Sequence, residues 1–281
     1  MRLFLRQFSS ELLKLFARKR TWIGFGAFLG LEMIILILLQ TEKAQRNYRA
    51  LLEANGAMFE EYFGGLTLAF TVILFTVLLL GALFIGLVAG DIVSKEVEDG
   101  TMRMTLCRPV SRGRVLVVKF LASLLYCLVL VVFIGCTALL TGWAWRGLGS
   151  LCAVIPENRL LAFFPPGEGL VRFFGVLPFF ALSLCSIVSL AFMCSCCDMK
   201  PAAATVVTMT VFLVDRILYL MPQFISYKPW FMTTHMETWL NLFRTPVPWA
   251  KMAEDYLYLF GLNATFFLVG CTIFLRRDLK S

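Results

Sequence analysis

The sequence predicts an all-α polytopic membrane protein with six membrane-spanning helices. Three observations lead there. Apolar residues make up 59% of the 281 residues and charged residues only 16%, against roughly 45–50% and about 25% in soluble domains. Six apolar runs are each about as long as a bilayer crossing requires. The Lys and Arg residues gather on alternate connections between those runs. This composition excludes a disordered chain, a collagen and an ordinary cytosolic enzyme. In such a chain a net charge of +8 reports cytoplasmic loops and contact with anionic lipid. No nucleic-acid partner is expected.

A crossing needs about 20 apolar residues, because the hydrocarbon core is about 30 Å thick and a helix rises about 1.5 Å per residue. Runs 22–39, 66–89, 115–140, 173–193, 202–221 and 256–275 meet that requirement, each bounded by charge, Pro or Gly. The first run exceeds a signal-peptide core of about 7–15 residues. It continues as Gln40-Thr41-Glu42-Lys43 with no small-residue cleavage site, and reads as a retained helix. A single transmembrane domain over 1–281 is expected.

The N-tail, segment 91–119, the turn 194–201 and the C-tail together hold sixteen Lys and Arg. Segments 41–65, 141–172 and 222–254 hold nine, and Arg216 lies inside the fifth run. Basic connections stay inside, so both termini are expected to be cytoplasmic. In the N-tail, Phe4, Phe8, Leu12, Leu15 and Phe16 fall at helical spacing, with Arg2, Arg6, Lys14 and Arg18 largely off that stripe. That is the pattern of an amphipathic helix lying in the membrane interface. Trp143, Trp145, Trp230, Trp239 and Trp249 fall in the outer segments, where Trp favours the headgroup level. Pro222, Pro229, Pro246 and Pro248 break 222–254 into short helical pieces resting on or dipping into the outer leaflet.

Enzyme motifs are absent. There is no P-loop, G-x-S-x-G, H-E-x-x-H or C-x-x-C-H. Gly24-x-Gly26-x-x-x-Gly30 lies in the first span with no preceding strand, so it reads as small-residue helix packing. So do Ser183, Ser186 and Ser189, and Gly81, Gly86 and Gly90. The single His235 excludes zinc sites that need several imidazoles. Of nine cysteines only Cys152 lies clearly outside, which leaves no intramolecular disulfide there. Cys194, Cys196 and Cys197 fit two readings, a soft-metal site and small apolar residues closing a helix.

Segment 91–119 is more specific. It places Glu96 and Glu98 before Gly100-Thr101, then Met102, Arg103, Leu106, Cys107 and Arg108, then Pro109-Val110-Ser111-Arg112. Gly100 can end one helix and Thr101 can cap the next. Arg108 before Pro109 stops it, and Ser111 can cap the third span. The result is a short helix near 101–107 across the cytoplasmic mouth. An ordinary basic loop is the plainer alternative, but the double break and alternating charge favour a docking element.

The order Glu96-x-Glu98-x-Gly100-Thr101, Leu106, Pro109-Val110-Ser111-Arg112 and Lys119, between spans two and three, resembles the signature of ABC-2 type permeases, the membrane subunits of ATP-binding-cassette exporters. The resemblance extends over nearly the whole chain, through the N-terminal helix, the broken outer segment and the closing Phe274-Leu-Arg276-Arg277-Asp278. It implies that the short helix is a coupling helix docking on a separate ATPase subunit, two copies being expected. The ATPase-docking residues would be Glu96, Glu98, Gly100, Thr101, Arg103, Leu106, Arg108, Pro109 and Arg112. It also implies a second permease subunit, in a homo- or heterodimer, and re-entrant outer helices. ATP and Mg would belong to the ATPase, leaving this chain no cofactor and no catalytic role. The expected location is the inner membrane of a prokaryotic cell. Two other classes stay open, a secondary transporter acting alone and a non-transporting anchor or sensor. Neither internal repeats nor a soluble sensing domain supports them.

Three charges fall inside the spans. Glu32 lies near the middle of the first, and Asp215 and Arg216 towards the outer end of the fifth. Intramembrane charges are costly and mark functional candidates. Glu32 and Arg216 could tie two helices together, Asp215 and Arg216 could reach the outer interface, or these charges could line the substrate path.

Overall fold

The computed structural model describes residues 2–76, 80–107, 110–155 and 160–277, without the side chains of Arg2, Arg20, Arg103, Thr105 and Leu106. Arg159, Asp278 and Lys280 of the charge count lie outside the described residues. The amphipathic stripe of the N-tail becomes α1 (Arg2–Ala17). Leu15 is buried, and Phe8, Leu12 and Phe16 pack partly buried against the core. The chain breaks at Arg18 and continues as α2 (Lys19–Leu39). Helix ends leave carbonyls without partners. Here Thr21 Oγ1 donates to Leu15 O at 2.7 Å and Trp22 Nε1 to Phe16 O at 2.8 Å, which locks the bend.

A connection follows, with α3 (Glu42–Ala54), N-capped by Thr41, and the short α4 (Phe59–Tyr62). The second apolar run is carried by two helices, α5 (Gly65–Thr76) and α6 (Ala82–Glu98). Then come α7 (Thr101–Leu106) and α8 (Arg112–Arg146). The 35 residues of α8 extend about 52 Å at about 1.5 Å per residue, more than a hydrocarbon core of about 30 Å requires. The rest is α9 (Pro166–Cys196), α10 (Pro201–Leu220), the 3₁₀-helical segments Pro222–Trp230 and Glu237–Phe243 flanking α11 (Met232–Met236), and α12 (Trp249–Arg276). The prolines thus divide 222–254 into short pieces as expected. Five of these helices, within or spanning α2, α8, α9, α10 and α12, are long and apolar enough to cross a membrane. The 12-residue α5 is shorter.

One departure from an all-α chain is an antiparallel hairpin, β1 (Leu151–Ile155) with β2 (Leu160–Phe164), pairing Leu151 with Phe164 and Ile155 with Leu160. Thr67 holds it to α5: its Oγ1 accepts from Cys152 N at 2.8 Å and donates to Tyr62 O at 2.6 Å.

The connections sort to two ends of the bundle. At one end Lys119 meets Glu11, Arg112 Nη1 donates to Arg277 O at 3.3 Å, and Arg277 pairs with Asp198. That end gathers the four base-rich segments. At the other, Gly65 N donates to Gly147 O at 2.9 Å, Ser150 N to Glu61 O at 3.1 Å, and Arg172 donates to Leu242 O. That end gathers the three base-poor ones.

The second end depends on glycine. α5 starts backbone-to-backbone against the end of α8, where a Cβ on Gly142 would stand 2.6 Å from Gly65 O. A Cβ on Gly64 would stand 2.6 Å from Gly149 Cα, in a turn where Gly147 and Gly149 hold φ of +73° and +60°. Within the bundle, Gly86 and Gly90 of α6 face Met209 and Thr205 of α10, so this small-residue pair joins two helices of the same chain. Gly26 and Gly30, by contrast, face open space. Gly142→Ala should therefore destabilise the protein by ~1–3 kcal/mol, read as a lower melting temperature in detergent. Gly261→Ala, where a Cβ meets nothing within 4 Å, should leave it unchanged. Equal melting temperatures for the two variants would show that the crossing is not close-packed.

Candidate functional site

The base-rich end is organised around the break between α6 and α7. α6 stops because Gly100 turns to φ +71°, a backbone that side-chain-bearing residues resist, with its N–H donating to Val97 O at 3.1 Å. Thr101 Oγ1 then donates to Glu96 O at 3.3 Å. α7 turns Met102 inward, 1% exposed, and Met104 outward, 67% exposed. Cys107 is also exposed. Ser111 caps α8 by accepting from Arg114 N at 3.4 Å. Arg108 and Pro109, and the side chains of Arg103 and Leu106, lie outside the described residues.

The two expected docking acids part company. Glu98 stays at the surface beside Lys95 at 3.1 Å. Glu96 turns inward, 6% exposed, and meets Lys119 Nζ at 2.8 Å. The same ammonium donates to Glu11 at 2.7 Å, and Lys14 lies 2.6 Å from Glu11 and 3.6 Å from Glu96. Lys119 itself has no solvent contact. The result is a neutral quartet, two acids and two bases, drawn from α1, α6 and α8. Burial works against the Glu11 carboxylate. The charge of Lys119 and hydrogen bonds from Lys119 and Lys14 outweigh it, and the pKa falls below the ordinary carboxylate value. Burial likewise opposes the Lys14 ammonium, but Glu11 and Glu96 raise its pKa. Leaving a buried charge such as Lys119 unpaired would cost ~3–5 kcal/mol.

Sequence reasoning did not assemble this quartet, yet it left a trace. Glu11 is the one acid of the N-tail and stands on the apolar stripe, three residues after Phe8 and four before Leu15. Lys119 interrupts the apolar start of α8 between Val118 and Phe120.

The intramembrane charges resolve differently from a Glu32–Arg216 tie. Arg216 pairs with Glu237 of the outer segment, and Tyr219 Oη donates to that carboxylate at 2.8 Å. Asp215 accepts from the backbone N–H groups of Met232 and Thr233 at 3.1 and 2.8 Å, and from Thr233 Oγ1 at 2.6 Å. Both charges therefore find partners in the segment after α10. The reason is positional. α10 packs on α6 and α9 while α2 packs on α5 and α8, and the outer segment folds back over the end of α10 to supply nearer partners. Glu32 is fully buried: Oε1 accepts from Thr137 Oγ1 at 2.8 Å, and Oε2 has no hydrogen-bond partner among the described residues. Asp255 anchors the same outer segment, with His235 Nδ1 at 2.8 Å and Thr238 Oγ1 donating at 2.8 Å. Glu237 and Asp255 were not singled out from sequence, since both sit in polar stretches of ordinary composition.

Among the described residues no three His, Cys, Asp or Glu side chains converge as a metal site; Cys194 and Cys196 are buried and Cys197 half-buried. Cys152 is buried in the hairpin, and burial pushes its thiol up to about 12.

Comparison with known families matches residues 7–197 to the family described as ABC-2 family transporter protein. The matched stretch runs from α1 to the turn after α9 and contains all four members of the quartet. A search among curated proteins finds no match.

The pairings make a double-mutant cycle decisive. Arg216→Gln and Glu237→Gln should be non-additive, with a coupling of ~0.5–3 kcal/mol, whereas Glu32→Gln and Arg216→Gln should add to within ~0.5 kcal/mol. Unfolding in detergent reads both cycles. Strong coupling in the second cycle would restore the tie between helices.

Proposed function

The chain belongs to the ABC-2 transporter family, and from that premise we propose that it is the transmembrane permease subunit of an ATP-driven exporter. Substrate movement is coupled to ATP hydrolysis on a separate ATPase chain. The observation that carries this reading is α7: a six-residue helix, set off by Gly100 at the base-rich end, with Met104 and Cys107 turned outward.

The chain contains no P-loop, so ATP and Mg bind elsewhere and their energy enters through a contact. A small apolar anchor rimmed by charge suits that contact. The apolar side chain supplies affinity, and the surrounding charges of Glu98 and Arg112 select the partner. Coupling requires that these contacts differ between nucleotide states of the ATPase. The base-rich end faces the cytoplasm, as the excess of Lys and Arg there favours. Six crossings then follow, α5 and α6 together forming the second. Two permease subunits and two ATPase copies make the working transporter.

The test uses Cys107 in a variant whose other cysteines are replaced. A membrane-impermeant maleimide should label it in inside-out vesicles, leave it unlabelled in intact cells, and be slowed by bound ATPase. Met104→Asp should reduce the co-purifying ATPase about tenfold or more, as a central interface side chain contributes ~2 kcal/mol or more. Labelling in intact cells would invert the topology, and unchanged co-purification would move the dock away from α7.

A further inference from the structure

We infer that Lys119 is a positioning residue that clasps the interfacial helix α1 to the docking helix α7, so that the two move as one body. The inference deepens the reading of α7 as the dock and rests on it for its functional meaning.

Three facts carry it. First, the link is electrostatic rather than apolar. Between α1, α7 and the start of α8 lies a cavity of about 450 Å³, lined by Gln7, Ser10 and Lys14 from α1, Met104 from α7, and Val115 and Val118 from α8. Among the described side chains, those of α1 and α7 that line this cavity stand apart across it, so they supply little dispersion contact to fix the separation. Second, α1 is joined to the base of α7 through one cluster of charges, with Lys14 of α1 also 3.6 Å from Glu96. The Lys119 ammonium touches Glu11 of α1 at 2.7 Å and Glu96 of α6 at 2.8 Å. Glu96 lies five residues before Thr101, and its carbonyl accepts from Thr101 Oγ1 at 3.3 Å. A displacement of α7 therefore acts on the backbone of the residue whose side chain holds Lys119. Third, the centre of the clasp is closed to water. Lys119 is fully buried and the Glu96 side chain is 8% exposed, so salt and solvent screen these pairs far less than surface pairs.

The arrangement has a mechanical consequence. α1 leads through the bend at Arg18 into α2, and Lys119 lies on α8. A push on α7 reaches the first and third spans together rather than through one span alone. Two packed elements with a charged hinge between them can adopt discrete arrangements, which is what transmission between distant sites requires.

The test reads geometry in the permease alone. Spin labels are placed at Leu13→Cys on α1 and at the native Cys107 beside α7, in a variant lacking the other cysteines, reconstituted in nanodiscs. Pulsed electron–electron resonance gives their distance distribution. Glu11→Gln removes the link from Lys119 to α1, leaving the Lys119 ammonium paired with Glu96 and only the longer Lys14–Glu96 pair at 3.6 Å between α1 and α6, so the bundle keeps its fold. The distribution is expected to broaden about twofold, because the pairing that fixes the separation is removed. Inverting the whole quartet, with Glu11→Lys, Lys14→Glu, Glu96→Lys and Lys119→Glu, should narrow it again, a rescue that a purely steric role would not give. An unchanged distribution in Glu11→Gln overturns the clasp, and so does a broadened one that the inversion fails to narrow. Co-purification of the ATPase with the parent protein reports separately on the docking reading. Its failure would remove the partner without altering what the distances say about α1 and α7.

Discussion

A lysine with no contact to water constrains everything around it. A buried ammonium without partners is strongly destabilising, and the two carboxylates that partner Lys119 stand on α1 and α6. The position of the amphipathic helix, the end of the second apolar segment and the entry of α8 are therefore fixed by one ammonium group. Tyr126, one turn deeper than Ser123 on α8, then receives Phe16 and Phe25 at ring distances of 6.3 and 6.1 Å, so aromatic packing continues what the ions begin. Gly100 completes the arrangement by releasing α7 from the line of α6.

The opposite end uses other means. Backbones meet at Gly65 and Gly142, a hairpin is pinned by Thr67, and Asp215, Arg216 and Asp255 are satisfied by the segment after α10. The common constraint is that polar groups near a bilayer must find partners inside the protein. At the base-rich end the partners are side chains of opposite charge. At the other they are backbone amides, a histidine, hydroxyls and one glutamate. The outer segment is thereby bound to the helix ends rather than standing apart from them.

Much of the fold was legible because hydropathy and charge act over long stretches. The limits of α2 and α10 and the end of α12 follow from apolar length, the N-terminal helix from its stripe, α7 from Gly100, and the grouping of connections from Lys and Arg alone; α12 begins seven residues before its apolar run, at Trp249 after Pro248. Pairings between single residues were not legible. Glu32 and Arg216 were candidate partners because each was charged and intramembrane, but sequence distance says nothing about which helices are neighbours. The hairpin was missed although two five-residue apolar runs flank Pro156-Glu157-Asn158, a turn-forming composition; the surrounding long helices made that stretch look like a mere connection. Of the docking segment, its breaks were readable and the inward turn of Glu96 was not. That turn depends on where Lys119 ends up.

The serines of α9 have a consequence for how the chain is made. Ser183, Ser186 and Ser189 are fully buried in the finished protein, and α12, which covers much of α9, begins at Trp249 while α9 ends at Cys196. At about 5–20 residues per second the ribosome needs roughly 4–16 s to supply the covering helix. During that interval the face of α9 that α12 will cover, Ser183 included, lacks its neighbour. Ser183 and Ser189 meet this by donating to carbonyls of their own helix, Phe179 O at 3.3 Å and Cys185 O at 2.8 Å. These bonds are local and need no second helix. Ser183 also stands 3.4 Å from Tyr256 Oη, a contact that exists only after α12 has inserted. The same hydroxyl that lets α9 wait in the bilayer then marks where its neighbour is to settle.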